Sequence, residues 1–196
     1  MHALLLTLFL LAAPAPAEVT IRLQPLGAVP ADLVQDAQAA LRTELGVRVE
    51  VLAAAPVPKA AWYPPRRRHR ADIIIDGLAA TYADQAATVK VLALTVGDIS
   101  TTKGAHRDWG VFGLGHLGGR AAVVSSHRLR KGARNRAHLL RRFAHTVVHE
   151  AGHTLGLAHC LEPACLMQDA HGTITNTDSS EHLGPACRAQ LGLPSR

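Results

Sequence analysis

The stretch His149-Glu150-Ala151-Gly152-His153-Thr154-Leu155-Gly156-Leu157-Ala158-His159 constrains this chain more than any other part of it. It fits H-E-x-x-H-x-x-G-x-x-H, a pattern in which three histidines hold one zinc and a glutamate draws a proton from water. The spacing has a geometric reason. His149 and His153 are four residues apart, so on a helix they share one face, one turn apart. Gly156 can then end the helix in the left-handed region that side chains resist. The chain turns back there and returns His159 to the same ion. Zinc at a catalytic site takes three protein ligands and keeps a fourth position open. Glu150, next to the first ligand, is placed to accept a proton beside that position. Five fixed positions recur by chance in a chain of this composition with a probability on the order of 10⁻⁴, which disfavours a histidine-rich helix with no metal.

His145 offers a rival triad with His149 and His153, because all three fall on one helical face. Residues eight apart rise by about 12 Å, too far to share one ion held at about 2.1 Å. His145 therefore reads as a groove-lining or ligand-supporting residue, or as a solvated one. The segment from about Asn135 to Leu155 is predicted to be one long helix, with Asn135 as its N-cap. Leu139, Leu140, Phe143, Ala144, Val147, Val148, Ala151 and Leu155 fall on one half of its wheel, and His149 and His153 on the other. The helix can thus bury its apolar side and turn its metal ligands to a cleft.

A length of 196 residues suits one domain, and 48% hydrophobic residues is ample for a core. Residues 3–13 form an apolar run too short to span a bilayer. The run leads to Ala15-Pro16-Ala17, a small-x-small cleavage signal before Glu18, although the amino-terminal region carries only the terminus and His2. Residues 1–17 are expected to be a secretory signal peptide and 18–196 the mature domain, placing the protein outside the cytoplasm, secreted or periplasmic. The alternative is an apolar segment retained in the fold. No later segment is long and apolar enough to span a membrane. Three cysteines remain, Cys160, Cys165 and Cys187, so at least one thiol is unpaired within the chain or bound to something else.

Elsewhere the pattern alternates strands and helices. Val19 to Leu26 and Val47 to Leu52 read as strands. Between them, Pro30 opens a helix that runs to Leu45 and stops at Gly46. Residues 54–70 read as a proline-rich loop, Ala71 to Tyr82 as a helix, Lys90 to Val96 as a strand, 104–120 as irregular and Gly-rich, and Ala121 to Ser125 as a short strand. This order predicts an α/β domain with a mixed sheet, a long ligand-bearing helix and a loop-rich C-terminal segment. The net charge of +6 collects in Arg66-Arg67-Arg68-His69-Arg70 and in Arg128, Arg130, Lys131, Arg134 and Arg136. With no aromatic residues among them to stack on bases, they read as solvated loops and no nucleic-acid partner is expected.

Past His159 the sequence continues Cys160-Leu161-Glu162-Pro163-Ala164-Cys165-Leu166-Met167. A cysteine directly after the third histidine, another five on, then x-Met, resembles the archaemetzincins, zinc metallopeptidases of the metzincin clan. The likeness covers roughly residues 19–192, and only 149–167 is motif-grade. It implies a single metzincin-like domain that hydrolyses peptide bonds with Glu150 as general base; a monomer is expected. It gives Met167 the place of the Met-turn, the apolar floor beneath the ligands. It implies that a substrate backbone pairs with a sheet edge at Val111, Phe112, Gly113, Leu114 and Gly115. Gln168 and Asp169 stand where some zinc peptidases place an oxyanion-binding tyrosine, so backbone donors and the metal must serve. Intact Glu150 favours an enzyme over a zinc-binding module without turnover.

The resemblance also has a departure. Four cysteines of that family bind a second, structural zinc, and here the fourth position is Gly184. A site completed by His182 or His171 is one reading. Loss of the second zinc is the expected one, leaving a single zinc and a disulfide from Cys187 to Cys160 or Cys165.

Overall fold

A computed structural model describes residues 19–196, so the expected leader at 1–17 lies outside the described residues. The chain opens with β1 (Thr20–Leu26), α1 (Ala31–Leu45) and β2 (Arg48–Val51). Pro30 precedes the helix, and Gly46 ends it with φ 64°, its N–H bonded to Arg42 O. Next come β3 (Trp62–Tyr63), β4 (Arg68–Arg70), α2 (Ala71–Thr81), β5 (Val89–Thr95), β6 (Ile99–Lys103), β7 (His106–Val111), β8 (Gly113–Gly115) and β9 (Ala121–Ser125). The remainder holds α3 (Ser126–Leu129), α4 (Arg136–Thr154), α5 (Thr175–Ser179) and α6 (Pro185–Gln190), joined by long loops.

The main sheet runs in the order β2-β1-β5-β9-β8. Its first four strands are parallel, and β8 closes one edge antiparallel to β9, with Gly113 opposite Val124 and Gly115 opposite Ala122. The central strands β5 and β9 are buried on both faces, which explains their near-continuous apolar sequences, whereas the edge strand β2 is mostly exposed and alternates. On one face Leu92, Leu94, Ala122 and Val124 pack with Leu33, Leu41 and Leu45 of α1 and Phe143 and Val147 of α4. On the other, Val91, Ala93 and Val123 pack with Ile74 and Ile75 of α2. Burying each such side chain contributes roughly 1.5–3 kcal/mol before chain entropy is counted.

A second sheet, β3-β4-β6-β7, differs from the sequence expectation, which left 54–70 as loop and 104–120 as irregular. Its strands lack an apolar alternation because β7 faces solvent over much of its length and β4 carries Arg68-His69-Arg70. Those arginines are not the solvated set expected. Arg68 bridges Asp98 at 3.2 Å and Asp108 at 3.4 Å with its side chain 12% exposed, and Arg70 bonds Asp72 at 3.0 Å.

Helix α4 begins as predicted, with Asn135 Oδ1 accepting from His138 N at 2.9 Å. A buried ion cluster ties it to the C-terminal segment. Arg142, 3% exposed, donates to both oxygens of Asp178 at 2.7 and 2.6 Å and to Leu129 O and Lys131 O at 3.0 Å. His138 Nε2 donates to Asp178 at 2.8 Å. The Arg142 guanidinium holds the Asp178 carboxyl far below the usual carboxylate range. Sequence reasoning missed this cluster, whose members are far apart in the chain and carry no local signature.

Candidate metal centre

The last two turns of α4 carry His149 and His153, one above the other as their spacing requires. Gly156 follows at φ 93°, and the reversal brings His159 back. The ligand nitrogens of His149, His153 and His159 all lie within 4.8 Å of one another. His149 Nδ1 donates to Leu166 O at 2.7 Å and His153 Nδ1 donates to Leu157 O at 2.8 Å. A carbonyl can only accept, so each ring spends its proton at Nδ1 and leaves Nε2 with a lone pair. Yet the two Nε2 atoms face each other at 3.1 Å. Two lone pairs at that distance repel unless a cation lies between them, and two nitrogens about 2.1 Å from one zinc stand about 3.4 Å apart. The residues therefore fit zinc. His159 Nδ1 lies 3.8 Å from Asp169 Oδ2, beyond hydrogen-bond distance, so the third ring has no such direct partner there.

Glu150 points from the same helix toward β8 and is 7% exposed. Burial pushes its carboxyl up to about 8, with the Gly115 N–H pulling the other way, and burial pushes His149 down to about 4. The approach of β8 explains its glycines. A Cβ on Gly113 would stand 2.5 Å from Glu150 Cγ, and one on Gly115 would stand 2.8 Å from Glu150 O. Of the expected edge residues, only Gly113, Leu114 and Gly115 form that strand. Val111 ends β7 in the second sheet, and Phe112 lies between the two. All five line one cleft of about 1000 Å³ with the three histidines and Glu150. His145 lines it too and donates Nδ1–H to Thr177 O at 3.1 Å. Lys103, Trp109 and Lys131 line the same cleft; Lys103 and Trp109 carried no sequence signal, and Lys131 was read only as part of a solvated basic group.

Met167 is fully buried behind the ligand helix, against Gly152. Its neighbour Leu166 supplies the carbonyl that orients His149, and Cys160 N donates to Met167 O at 2.9 Å. The three cysteines are all free, so the expected disulfide is not formed. Cys165 Sγ and Cys187 Sγ are 3.7 Å apart, well beyond the ~2.05 Å of a bond between sulfurs. Neither expected substitute for a fourth cysteine reaches them: His182 Nδ1 is 2.9 Å from Glu44 Oε1, and His171 Nδ1 lies 3.4 Å from Asp169.

Two histidines on a helix beneath an antiparallel sheet edge, a third returned by a glycine turn, and a buried glutamate between edge and ligands define a zinc metallopeptidase. The model of Peptidase family M54 matches residues 30–189, and the chain belongs to that family. It is 36% identical over 165 residues to an archaemetzincin of Halobacterium salinarum, covering 80% of this chain and 90% of the relative. It is 31% identical over 175 residues to one of Natronomonas pharaonis, covering 85% and 96%. Among solved structures, the archaemetzincin of Methanopyrus kandleri superposes with a TM-score of 0.74 at 27% identity, covering 91% of this chain and 96% of that one. The archaemetzincin of Archaeoglobus fulgidus, complexed with malonate, gives 0.71 at 27% identity, covering 88% and 99%.

Proposed function

We propose that this chain hydrolyses a peptide bond in an extended polypeptide laid along the free side of β8, with Glu150 as the proton-transferring group. The observation that carries the reading is the convergence of two unprotonated Nε2 atoms at 3.1 Å beside the buried side chain of Glu150. His149, His153 and His159 would hold the zinc, which supplies a polarised carbonyl and an acidified water when bound. Glu150 accepts the proton from the attacking water and delivers it to the leaving amine, so it ends the cycle as it began. The main chain of Gly113 to Gly115 pairs with the substrate backbone and fixes the scissile carbonyl over the ligands. Burial of Met167 under the ligand helix supports its reading as the Met-turn residue.

Glu150→Gln is the test. It should keep the histidine-bound zinc, measured by elemental analysis, and lose cleavage of a mixed peptide library. Turnover equal to the unsubstituted protein would refute the role. The run at 3–13 and the Ala15-Pro16-Ala17 signal support a mature chain that starts at Glu18 and acts outside the cytoplasm. Amino-terminal sequencing of protein from the exported fraction, returning Met1, would reject this.

A further inference from the structure

We propose that Cys160, Cys165 and Cys187 hold a second zinc whose fourth ligand is the Glu162 carboxylate, standing in for a side chain that Gly184 lacks. The site is separate from the histidine centre and does not depend on the reading of that centre.

The sulfurs converge first. Their Sγ atoms all lie within 4.8 Å of one another, and two of the three cysteines are buried. The 3.7 Å between Cys165 and Cys187 matches a tetrahedral edge, since zinc–sulfur bonds of about 2.3 Å place two sulfurs about 3.8 Å apart. Backbone amides are aimed at the sulfurs as well. Gly184 N and Met167 N point at Cys165 Sγ at 3.2 and 3.4 Å, and Glu162 N points at Cys160 Sγ at 3.4 Å. A neutral thiol is a weak acceptor and gains little from two amides, whereas a metal-bound thiolate is stabilised by them.

Glu162 supplies what is missing. A Cβ built on Gly184 would overlap Glu162 Oε2 and stand 3.3 Å from Cys165 Sγ. The carboxylate therefore fills the volume that a residue-184 side chain would use to reach the sulfurs. Glu162 Oε2 is buried and has no hydrogen-bond partner. A buried carboxylate oxygen without a donor is costly, and a cation beside it removes the cost. The carboxylate stands outside the 4.8 Å spacing that the sulfurs satisfy among themselves. Rotation about its own side-chain bonds is the movement that completes the tetrahedron. The expected loss of the second zinc rests on Gly184 offering no ligand, and nothing in the local sequence marks Glu162 as the residue that folds into the gap.

The test uses the full mature chain. Elemental analysis should return two zincs per chain. Cobalt exchanged into the protein should show sulfur-to-metal charge-transfer absorption, to which a three-histidine site contributes nothing. In Glu162→Gln, a chelator should strip the sulfur-bound metal at a concentration at least ~10-fold lower, the smallest loss typical of disturbing a metal's surroundings. The double variant Glu162→Ala/Gly184→Cys should recover tight binding, with charge transfer raised by about a third as four thiolates replace three. Zinc retained at the histidines reports that each variant is folded. One zinc per chain with no cobalt–sulfur band, or a disulfide in the native protein, would overturn the site. Identical chelator sensitivity in the unsubstituted protein and Glu162→Gln would overturn the role of Glu162.

Discussion

Gly152 and Met167 make a packing claim that changes sign between two backgrounds. Gly152 sits one residue before His153 on α4, and a Cβ there would stand 2.6 Å from Met167 Sδ, 3.2 Å from Met167 Cε and 3.3 Å from Leu157 Cδ1. Ordinary carbon contacts optimise near ~3.5–4.0 Å, so Gly152→Ala overpacks a site where Met167 is fully buried. Overpacking costs typically ~1–3 kcal/mol, offset by about 1 kcal/mol because alanine favours a helix interior over glycine. The net is a loss of up to about 2 kcal/mol. Met167→Ala alone should cost ~2–5 kcal/mol through the cavity it leaves. With Met167 truncated, the new methyl enters vacated space, and the helix gain is opposed only by the 3.3 Å approach to Leu157 Cδ1. Gly152→Ala should then stabilise by up to about 1 kcal/mol. Urea unfolding of all four proteins at one saturating zinc concentration reads this as midpoint shifts at constant slope. A Gly152→Ala penalty of equal size in both backgrounds would refute the contact between Met167 and the ligand helix.

Other outcomes follow from the same geometry. Gly113→Ala should push Glu150 out of place and lower kcat ~10²-fold with zinc content unchanged, since misplacement of about 1 Å costs that much; full activity would mean that β8 does not press on Glu150. His159→Ala should lower the zinc bound at the histidines, because two ligands rarely hold zinc tightly, and full occupancy would point to a different third ligand. Asp178→Asn should cost ~3–5 kcal/mol by leaving Arg142 buried and unpaired. Because Asp178 has a depressed pKa in the fold, its contribution is present above the ordinary carboxylate range and lost as pH falls below it. The gap in thermal midpoint between Asp178→Asn and the parent should therefore narrow below about pH 4, and a gap that widens on acidification would contradict the pairing.

Signals confined to a few neighbouring residues were legible in the sequence. Pro30 and Gly46 bracket α1, Asn135 caps α4, and the spacing of His149, His153 and His159 around Gly156 anticipates their convergence before any tertiary contact is known. Features that depend on distant partners were not. Strands β6 and β7 have no apolar alternation, because their sheet is half solvated and held by ion pairs such as Arg68 with Asp98. The glycines of β8 read as irregular, yet they are a strand thinned to let Glu150 approach. Cysteine spacing pointed to the right family but could not say what stands in for the fourth thiol. Glu162 meets Gly184 only after a long loop closes, just as Asp178 meets Arg142 across thirty-six positions.

The thinning of β8 also shapes how such a protein can evolve. Gly113 and Gly115 have no room for side chains on the Glu150 side, and Leu114 packs into the core on the opposite face of the sheet. The rim above the metal ligands thus offers an incoming polypeptide only main chain, which is the same for every sequence. Side-chain contacts with an occupant fall instead to residues such as Lys103, Trp109 and Lys131, which line the same cleft. Steric constraint and side-chain variety are thereby assigned to different residues of one cleft. A lineage that keeps Glu150 in this position must keep Gly113 and Gly115 without side chains, while other residues of the cleft lining are free of that limit.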